Sequence, residues 1–460
     1  RRGPAAAGMW MDTKTEVEEA SRSRASLSRR ALNALLLCTG DMEHLDEYMK
    51  DKLFVLQLAV WGLRGVTRVI LANNPLSGAL IMAALYWASP WQGLLGSLGV
   101  LASTLTAVIM GQDSDEVSGG LHGFNGMLVS LLMGVFSSAG DWYWWLLLPV
   151  CLGSASCVFL FSGLSSVLDH WDLPVTVFPF NIIIVLYLLC TGPGNLYFPH
   201  HPAEPPGALD PNFPELVAVE VIRGIPLGVG QIFACGDLGP SLLILGAVLL
   251  YSPLLAVHAV LGSAVGTLAG ESPFVCARVG GVGELAEPTH RGARERDAGN
   301  EPTLVDGESS DQKLAGRKLQ VRLGGDPGEQ TEKTEQPGAG LSMAVRHYSL
   351  YSGLSGFNGA LGCMAVGGLF FTFSWRTHLF AIASAFLSAY ADIALSNLLG
   401  TVGLPACSWA ATLTTTLMLL LTGSLAAYRI PTGQVKAPEH NLRSSQWEAG
   451  NTEERESTDV

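Results

Sequence analysis

The chain has 460 residues, 48% of them hydrophobic and only 15% charged, with 53 glycines, a balance that fits a long polytopic membrane protein and not one soluble domain. Its formal net charge of -13 comes from acids gathered in the two tails and one internal segment; with no basic aromatic patch, no nucleic-acid partner is expected. Seven of the eight cysteines (Cys38, Cys151, Cys157, Cys190, Cys235, Cys363, Cys407) lie in or beside apolar stretches without CxxC spacing. They read as small buried hydrophobes, and neither a metal site, a disulfide framework nor a cofactor is expected.

Residues 1–50 are polar and place Arg22, Arg24, Arg29 and Arg30 ahead of the first long apolar run, which predicts a cytoplasmic N-terminal tail. Arg1 to Arg30 contains no apolar h-region, so no cleaved signal peptide is expected and the first apolar segment does the targeting. The first membrane unit, 51–191, has apolar runs at roughly Leu53 to Ala72, Leu76 to Trp87, Trp91 to Met110, Met127 to Phe136, Trp144 to Phe161 and Phe180 to Cys190. Several are too short to span a bilayer. Asn73-Asn74-Pro75 closes the first run, with a helix break at Pro75, and the residues after it suit a half-helix. Trp142, Tyr143, Trp144 and Trp145 have the character of an interfacial aromatic belt.

Leu173 to Asn181, Leu-Pro-Val-Thr-Val-Phe-Pro-Phe-Asn, sets Pro174, Pro179 and a hydroxyl inside an apolar region. Proline removes a backbone donor, and freed backbone groups survive at membrane depth only where protein buries them or water lines them. This predicts a helix break facing a pore. Leu404-Pro405-Ala406-Cys407-Ser408-Trp409 partly echoes it, and paired interrupted helices in two halves point to a transport site.

Residues 192–214 form a central loop. From Cys190 to Arg223 there is no intervening Lys or Arg, but Glu204, Asp210, Glu215 and several prolines, as expected outside the cell; no sequon for N-glycosylation occurs there. The second membrane unit begins at 215–270. Ser89-Pro90, Leu98-Gly99 and Ser103-Thr104-Leu105 return as Ser252-Pro253, Leu261-Gly262 and Gly266-Thr267-Leu268, all at one constant offset. Gly120-Leu121-His122-Gly123-Phe124-Asn125-Gly126 returns as Gly353-Leu354-Ser355-Gly356-Phe357-Asn358-Gly359, at a longer one. The difference between the two offsets places a polar insert at 271–340; its composition is that of a disordered segment, read either as a regulatory loop or as foreign to the fold. The second unit resumes at 341–427, and 428–460 is a cytoplasmic C-terminal tail. The shared register of these anchors indicates an internal duplication.

These residues resemble the urea transporter family in its vertebrate facilitative branch, over roughly Gly40 to Ala427 apart from the insert. The specific matches are Gly40-Asp41-Met42, Leu63-Arg64-Gly65 leading to Asn73-Asn74-Pro75, Gly120 to Asn125, Trp144 to Val150, Leu173 to Asn181, Gly228-Val229-Gly230-Gln231 and Val402 to Cys407. The resemblance implies an all-α homotrimer in the plasma membrane, with a pore in each protomer between two inverted repeats and both termini cytoplasmic. Its partners would be urea and the lipid bilayer. Urea is small, planar and neutral, so a passive filter needs flat apolar walls and a row of acceptors along one edge.

By the resemblance, Phe124 and Phe357 stand at aromatic-slot positions; by the residues alone, helix packing explains them as well. Gln231 follows a Gly-Val-Gly run and reads as pore-lining, because an amide at membrane depth needs a partner or a cavity. Asn125 and Asn358 read as caps of broken helix ends. Departures from the family pattern are informative. Arg68 stands where the repeat and the family ask for glutamine, and Leu71 where the family has phenylalanine. The family form LPxxTxPFN puts threonine where this chain has Val177, with the hydroxyl one position earlier on Thr176. In the echo Ser408 keeps a hydroxyl, but Ala410 and Ala411 replace Pro-Phe. Arg68 either points into the filter and slows conduction, or turns aside to an acid such as Glu220 or to the interface.

Two readings result: a facilitative urea channel, or a degenerate non-conducting homologue acting as a membrane assembly subunit. An enzyme is not expected, since His122, His258 and His378 are scattered and no HExxH or nucleophile-base pattern occurs. An ion channel or coupled transporter is disfavoured because no file of acids runs through the apolar segments. The repeat arithmetic makes a prediction: deletion of 271–340 leaves a folded trimer on size-exclusion chromatography in detergent. A deletion variant that elutes only as aggregate, beside a trimeric full chain, would show that the insert belongs to the fold.

Overall fold

The computed structural model describes residues 37–200, 218–271, 353–354, 356–421 and 428–441. Nearly all of the expected insert, most of the central loop and most of both tails lie outside the described residues. Among those residues the chain is helical, and the only strand-like pairing is one antiparallel bridge, Phe371 to Arg429. The helices of the first half are α1 (Glu43–Met49), α2 (Phe54–Arg68), α3 (Pro75–Ala88), α4 (Pro90–Ile109), α5 (Ser114–Ser118), α6 (Gly123–Phe136), α7 (Leu147–Leu168) and α8 (Phe178–Thr191). Those that follow are α9 (Ala218–Gln231), α10 (Leu238–Tyr251), α11 (Pro253–Glu271), α12 (Phe357–Met364), α13 (Trp375–Gly400) and α14 (Trp409–Leu419).

Local chemistry sets the boundaries. Proline is tolerated in the first turn, where its missing N–H has no helical partner anyway, and α3, α4 and α11 each begin with one. The residue before it caps the helix. Asn74 Oδ1 accepts from the N–H groups of Leu76 (2.9 Å) and Ser77 (3.0 Å), while Ser252 Oγ accepts from the N–H of Leu255 (3.0 Å). Among the described residues three stretches are long and apolar enough to cross a membrane: Pro90–Ile109, Trp144–Trp171 and Trp375–Gly400. Trp142, Trp144 and Trp145 are exposed around the start of the second, as an interfacial belt requires. Cys157, Cys235 and Cys363 are buried, but Cys190 is exposed and Cys38, Cys151 and Cys407 only half-buried, so the reading of all seven as core hydrophobes is corrected. The lipid-facing surface of a membrane helix is itself apolar, so hydrophobicity alone does not separate the two environments.

Helix α4 packs on α6 and α7, and α11 on α12 and α13; the halves meet where α3 packs on α10 and α8 on α14. The unusual backbone conformations recur at the sequence spacings. Positive φ occurs at Leu71 and Ala234 (61° and 57°), Gly120 and Gly353 (75° and 80°), Thr176 and Cys407 (49° and 46°). At Gly120 the chain is pressed against α2: a Cβ there would stand 2.4 Å from the Gly65 nitrogen, and one on Gly353 would stand 2.6 Å from the Gly228 nitrogen. No side chain fits between these backbones.

The segments flanking the membrane region dock together. Gly40 N–H donates to the Tyr251 carbonyl (3.0 Å), and the Asp41 carboxylate accepts from Tyr251 Oη–H (3.0 Å) and from the Ala437 N–H (3.1 Å). Glu439 accepts from Ser252 Oγ–H (2.8 Å), and Asn441 Nδ2 donates to the carbonyl of Gly368 (3.0 Å). Thus residues near both ends of the chain close over the α10–α11 corner.

Two glycines separate close approach from backbone conformation. Gly120 and Gly140 share a positive φ, 75° and 78°, but a Cβ on Gly140 would meet nothing within 4 Å. Gly140→Ala should cost about 1–2 kcal/mol, and Gly120→Ala about 3 kcal/mol or more. Thermal midpoints in detergent, read by fluorescence size-exclusion, should fall clearly further for Gly120→Ala; equal falls would deny the contact between α2 and the start of α6.

Candidate transport site

The candidate site is built on two interruptions in the helical ladder. Before α8, Asp172 and Thr176 take positive φ, and α8 starts at Phe178 with Pro179 in its first turn. Before α14, Gly403 and Cys407 take positive φ, and α14 starts at Trp409. A β-branched residue such as Thr176 is strained at positive φ, so surrounding contacts must hold it there. Asn125, buried on α6, supplies them: its Nδ2 donates to the Thr176 carbonyl (3.1 Å) and its Oδ1 accepts from the Phe180 N–H (3.0 Å). Asn358 on α12 repeats the tie, donating to the Cys407 carbonyl (3.0 Å) and accepting from the Ala411 N–H (3.1 Å). The asparagines therefore act as caps, and each binds a broken helix to its neighbour.

The two breaks also touch. Asn181 on α8 accepts, through Oδ1, from both the N–H and the Oγ–H of Ser408, each at 3.3 Å. Phe178 and Trp409, the first residues of α8 and α14, meet edge to face with centroids 6.0 Å apart. Val177 and Ser408 occupy the cap positions of the two helices. Val177 is half-buried and carries no hydroxyl, whereas the Thr176 hydroxyl is buried without a protein partner. Thr176 thus enters the site through its carbonyl.

A second pair of interruptions follows α2 and α9. Beyond Arg68 the chain turns at Leu71, and beyond Gln231 it turns at Ala234. Leu71 and Ala234 are both half-buried. Arg68 Nε donates to the Gly119 carbonyl (2.8 Å), at the end of α5, where helix carbonyls lack partners of their own. The side chain of Glu220, the other expected partner, lies outside the described residues. Phe124 is buried against Phe161, edge to face at 6.5 Å, and Phe357 is only half-buried. Of the expected breaks, Pro75 and Pro179 stand in the first turns of α3 and α8, and Pro174 and Pro405 in the irregular stretches ahead of α8 and α14.

The urea transporter family model matches residues 59–276 and 337–423. The chain is 36% identical to urea transporter 1 of Rattus norvegicus over 416 residues, 90% of each chain. It is 35% identical to urea transporter 1 of Ovis aries over 416 residues, 90% of each chain, and 36% identical to that of Mus musculus over 406 residues, 88% of this chain and 87% of that one. The chain belongs to the urea transporter family. It is accordingly an all-α polytopic membrane protein, and among the described residues short apolar helices are interleaved with three long ones.

Three contacts around these breaks lie beyond sequence reasoning. The Asn181–Ser408 contact joins residues 227 apart in the chain. The Arg68–Gly119 contact involves a carbonyl, which no side-chain pattern reports. Asp392, a lone acid in the apolar run of α13, accepts from Asn358 Nδ2 at 2.8 Å; its one signal is a single charge flanked by Ala391 and Ile393, which forms no file of acids.

Removal of a tie should leave buried backbone groups unpaired, at about 1–3 kcal/mol each. Asn358→Ala should therefore lower the thermal midpoint in detergent clearly more than Thr416→Ala, which removes only a half-buried hydroxyl bonded to the carbonyl one helical turn back. Equal midpoints for the two variants would mean that Asn358 does not hold the break.

Proposed function

We propose that this chain is a facilitative urea channel of the plasma membrane, passing urea down its gradient without cofactor. Full-length similarity to urea transporters, 36% identity over 90% of the chain, carries the reading. The geometry supports it. The starts of α8 and α14 converge, and the N-terminus of a helix is a positive dipole end, which suits the carbonyl oxygen of urea. Gln231 and Ser408 supply side-chain oxygens for urea N–H groups. Phe124 and Phe357 act as flat walls, with the opening wider where Leu71 stands in place of a phenylalanine. Equivalent helices and positive-φ residues support a pore between two inverted repeats, and docking of the segments around Asp41 and Ala437 supports placing both termini on one, cytoplasmic, side. In this reading three protomers assemble, each with its own pore.

Retention of both asparagine ties and of the contact between breaks favours conduction despite Val177 and Ala410-Ala411. Stopped-flow urea uptake into proteoliposomes containing the purified chain should be much faster than into empty liposomes; equal rates would refute the reading. Since Arg68 is held by the Gly119 carbonyl, Arg68→Gln should change urea flux by no more than about twofold at equal protein. A tenfold rise in the variant would place the guanidinium inside the passage.

A further inference from the structure

Asp392 is 7% exposed, on a helix apolar and long enough to cross the membrane. Ionisable groups at membrane depth are costly and are retained for function. This one lies beside the second break, with its Oδ1 accepting from Asn358 Nδ2 at 2.8 Å. The other Asn358 contacts are those to the Cys407 carbonyl and the Ala411 N–H, so the amide oxygen and both amide hydrogens are committed. The first half manages without a carboxylate. There Phe161, as far before Thr176 as Asp392 is before Cys407, packs against Phe124, and Asn125 holds Thr176 and Phe180 unaided. The acid is therefore an addition to a tie that is complete elsewhere.

Among the described residues no Lys, Arg or His pairs with Asp392. Helix α13 packs on α11, α12, α14 and the turn at Ala365–Leu369. Their titratable groups are His258 and the terminal Glu271 on α11 and Cys363 on α12; α14 and the turn have none. His258 is engaged with His378 of α13 at 3.2 Å, the other titratable groups of α13 being Arg376 and Tyr390. Cys407, in the link before α14, is a further titratable group, its carbonyl bonded to the same Asn358. A carboxylate with no cation beside it is either ionised or protonated. The two forms make different demands. An ionised carboxylate only accepts, and so keeps the Asn358 amide turned with Nδ2 toward it and Oδ1 toward Ala411. A neutral acid has an O–H to place, and it competes with the Ala411 N–H for Asn358 Oδ1.

We propose that Asp392 is a positioning residue for transport: ionised, it holds Asn358 and the second break in the transporting arrangement, and proton uptake loosens them. This rests on the urea-channel reading. Urea flux is therefore highest at alkaline pH and falls as pH falls. The experiment is urea flux in proteoliposomes at equal pH on both sides, for the full chain, Asp392→Asn and Asp392→Ser, each normalised to folded protein by size-exclusion. The parent's flux should drop by about threefold or more between about pH 8 and about pH 5.5, and in both variants the ratio between those conditions should be close to one. A conducting parent with a flat profile, or variants that keep the parent's ratio, would overturn the proposal alone. A parent that carries no urea at any pH would overturn the channel reading and the proposal together.

Discussion

Everything in this structure turns on how backbone polar groups are satisfied where a helix is broken away from water. A helix interrupted at membrane depth leaves N–H and C=O groups that lipid cannot serve, each worth about 1–3 kcal/mol if buried unpaired. The chain answers with two buried asparagines, Asn125 and Asn358, each bridging a carbonyl on one side of a break to an N–H on the other. Asparagine suits the task because its amide offers a donor and an acceptor on one short, stiff arm. From these ties follow the strained conformations of Thr176 and Cys407, the entry angles of α8 and α14, and the meeting of Phe178 with Trp409.

The ties require close packing behind them. Asn125 and Asn358 each stand two residues after a glycine that leaves room for the neighbouring helix: a Cβ on Gly123 would lie 2.9 Å from Thr104 Oγ1, and one on Gly356 would lie 2.7 Å from Ser263 Oγ. The hydroxyls nearby are themselves satisfied within their helices, Thr104 to the Val100 carbonyl and Thr267 to the Ser263 carbonyl. Small residues and internally bonded hydroxyls are how helices pack tightly when lipid is as apolar as the side chains it would replace. The proposed transport site is thus laid on a scaffold that admits little change at a few glycines.

Much of this is readable from residues alone because it rests on local rules. Pro75, Pro90, Pro174, Pro179, Pro253 and Pro405 mark where helices start or chains turn, whatever surrounds them, and the glycines before Phe124 and Phe357 recur with the register of the helices they serve. The capping role of Asn125 and Asn358 follows from the same logic and is visible in their hydrogen bonds. Contacts between distant segments are not readable. Arg68 found a carbonyl, Asn181 reached Ser408 in the other half, and Asp392 found Asn358 because tertiary packing brought them together. Residue type constrains what a polar group needs, while the fold decides which neighbour supplies it.

The departures at Val177 and Leu71 leave the frame of the site intact. Val177 removes a hydroxyl at one cap and Leu71 an aromatic ring, yet both asparagine ties and the α3–α10 and α8–α14 contacts persist. That pattern is expected if the frame is held by backbone satisfaction while the lining is free to drift. The most direct test of the central claim, that the tied breaks form the urea passage, is a cryo-electron microscopy structure with N-methylurea bound. The account predicts ligand density between Val177 and Ser408, in contact with an aromatic wall at Phe124 or Phe357; density seated elsewhere, with side chains closing the space between the two breaks, would contradict it.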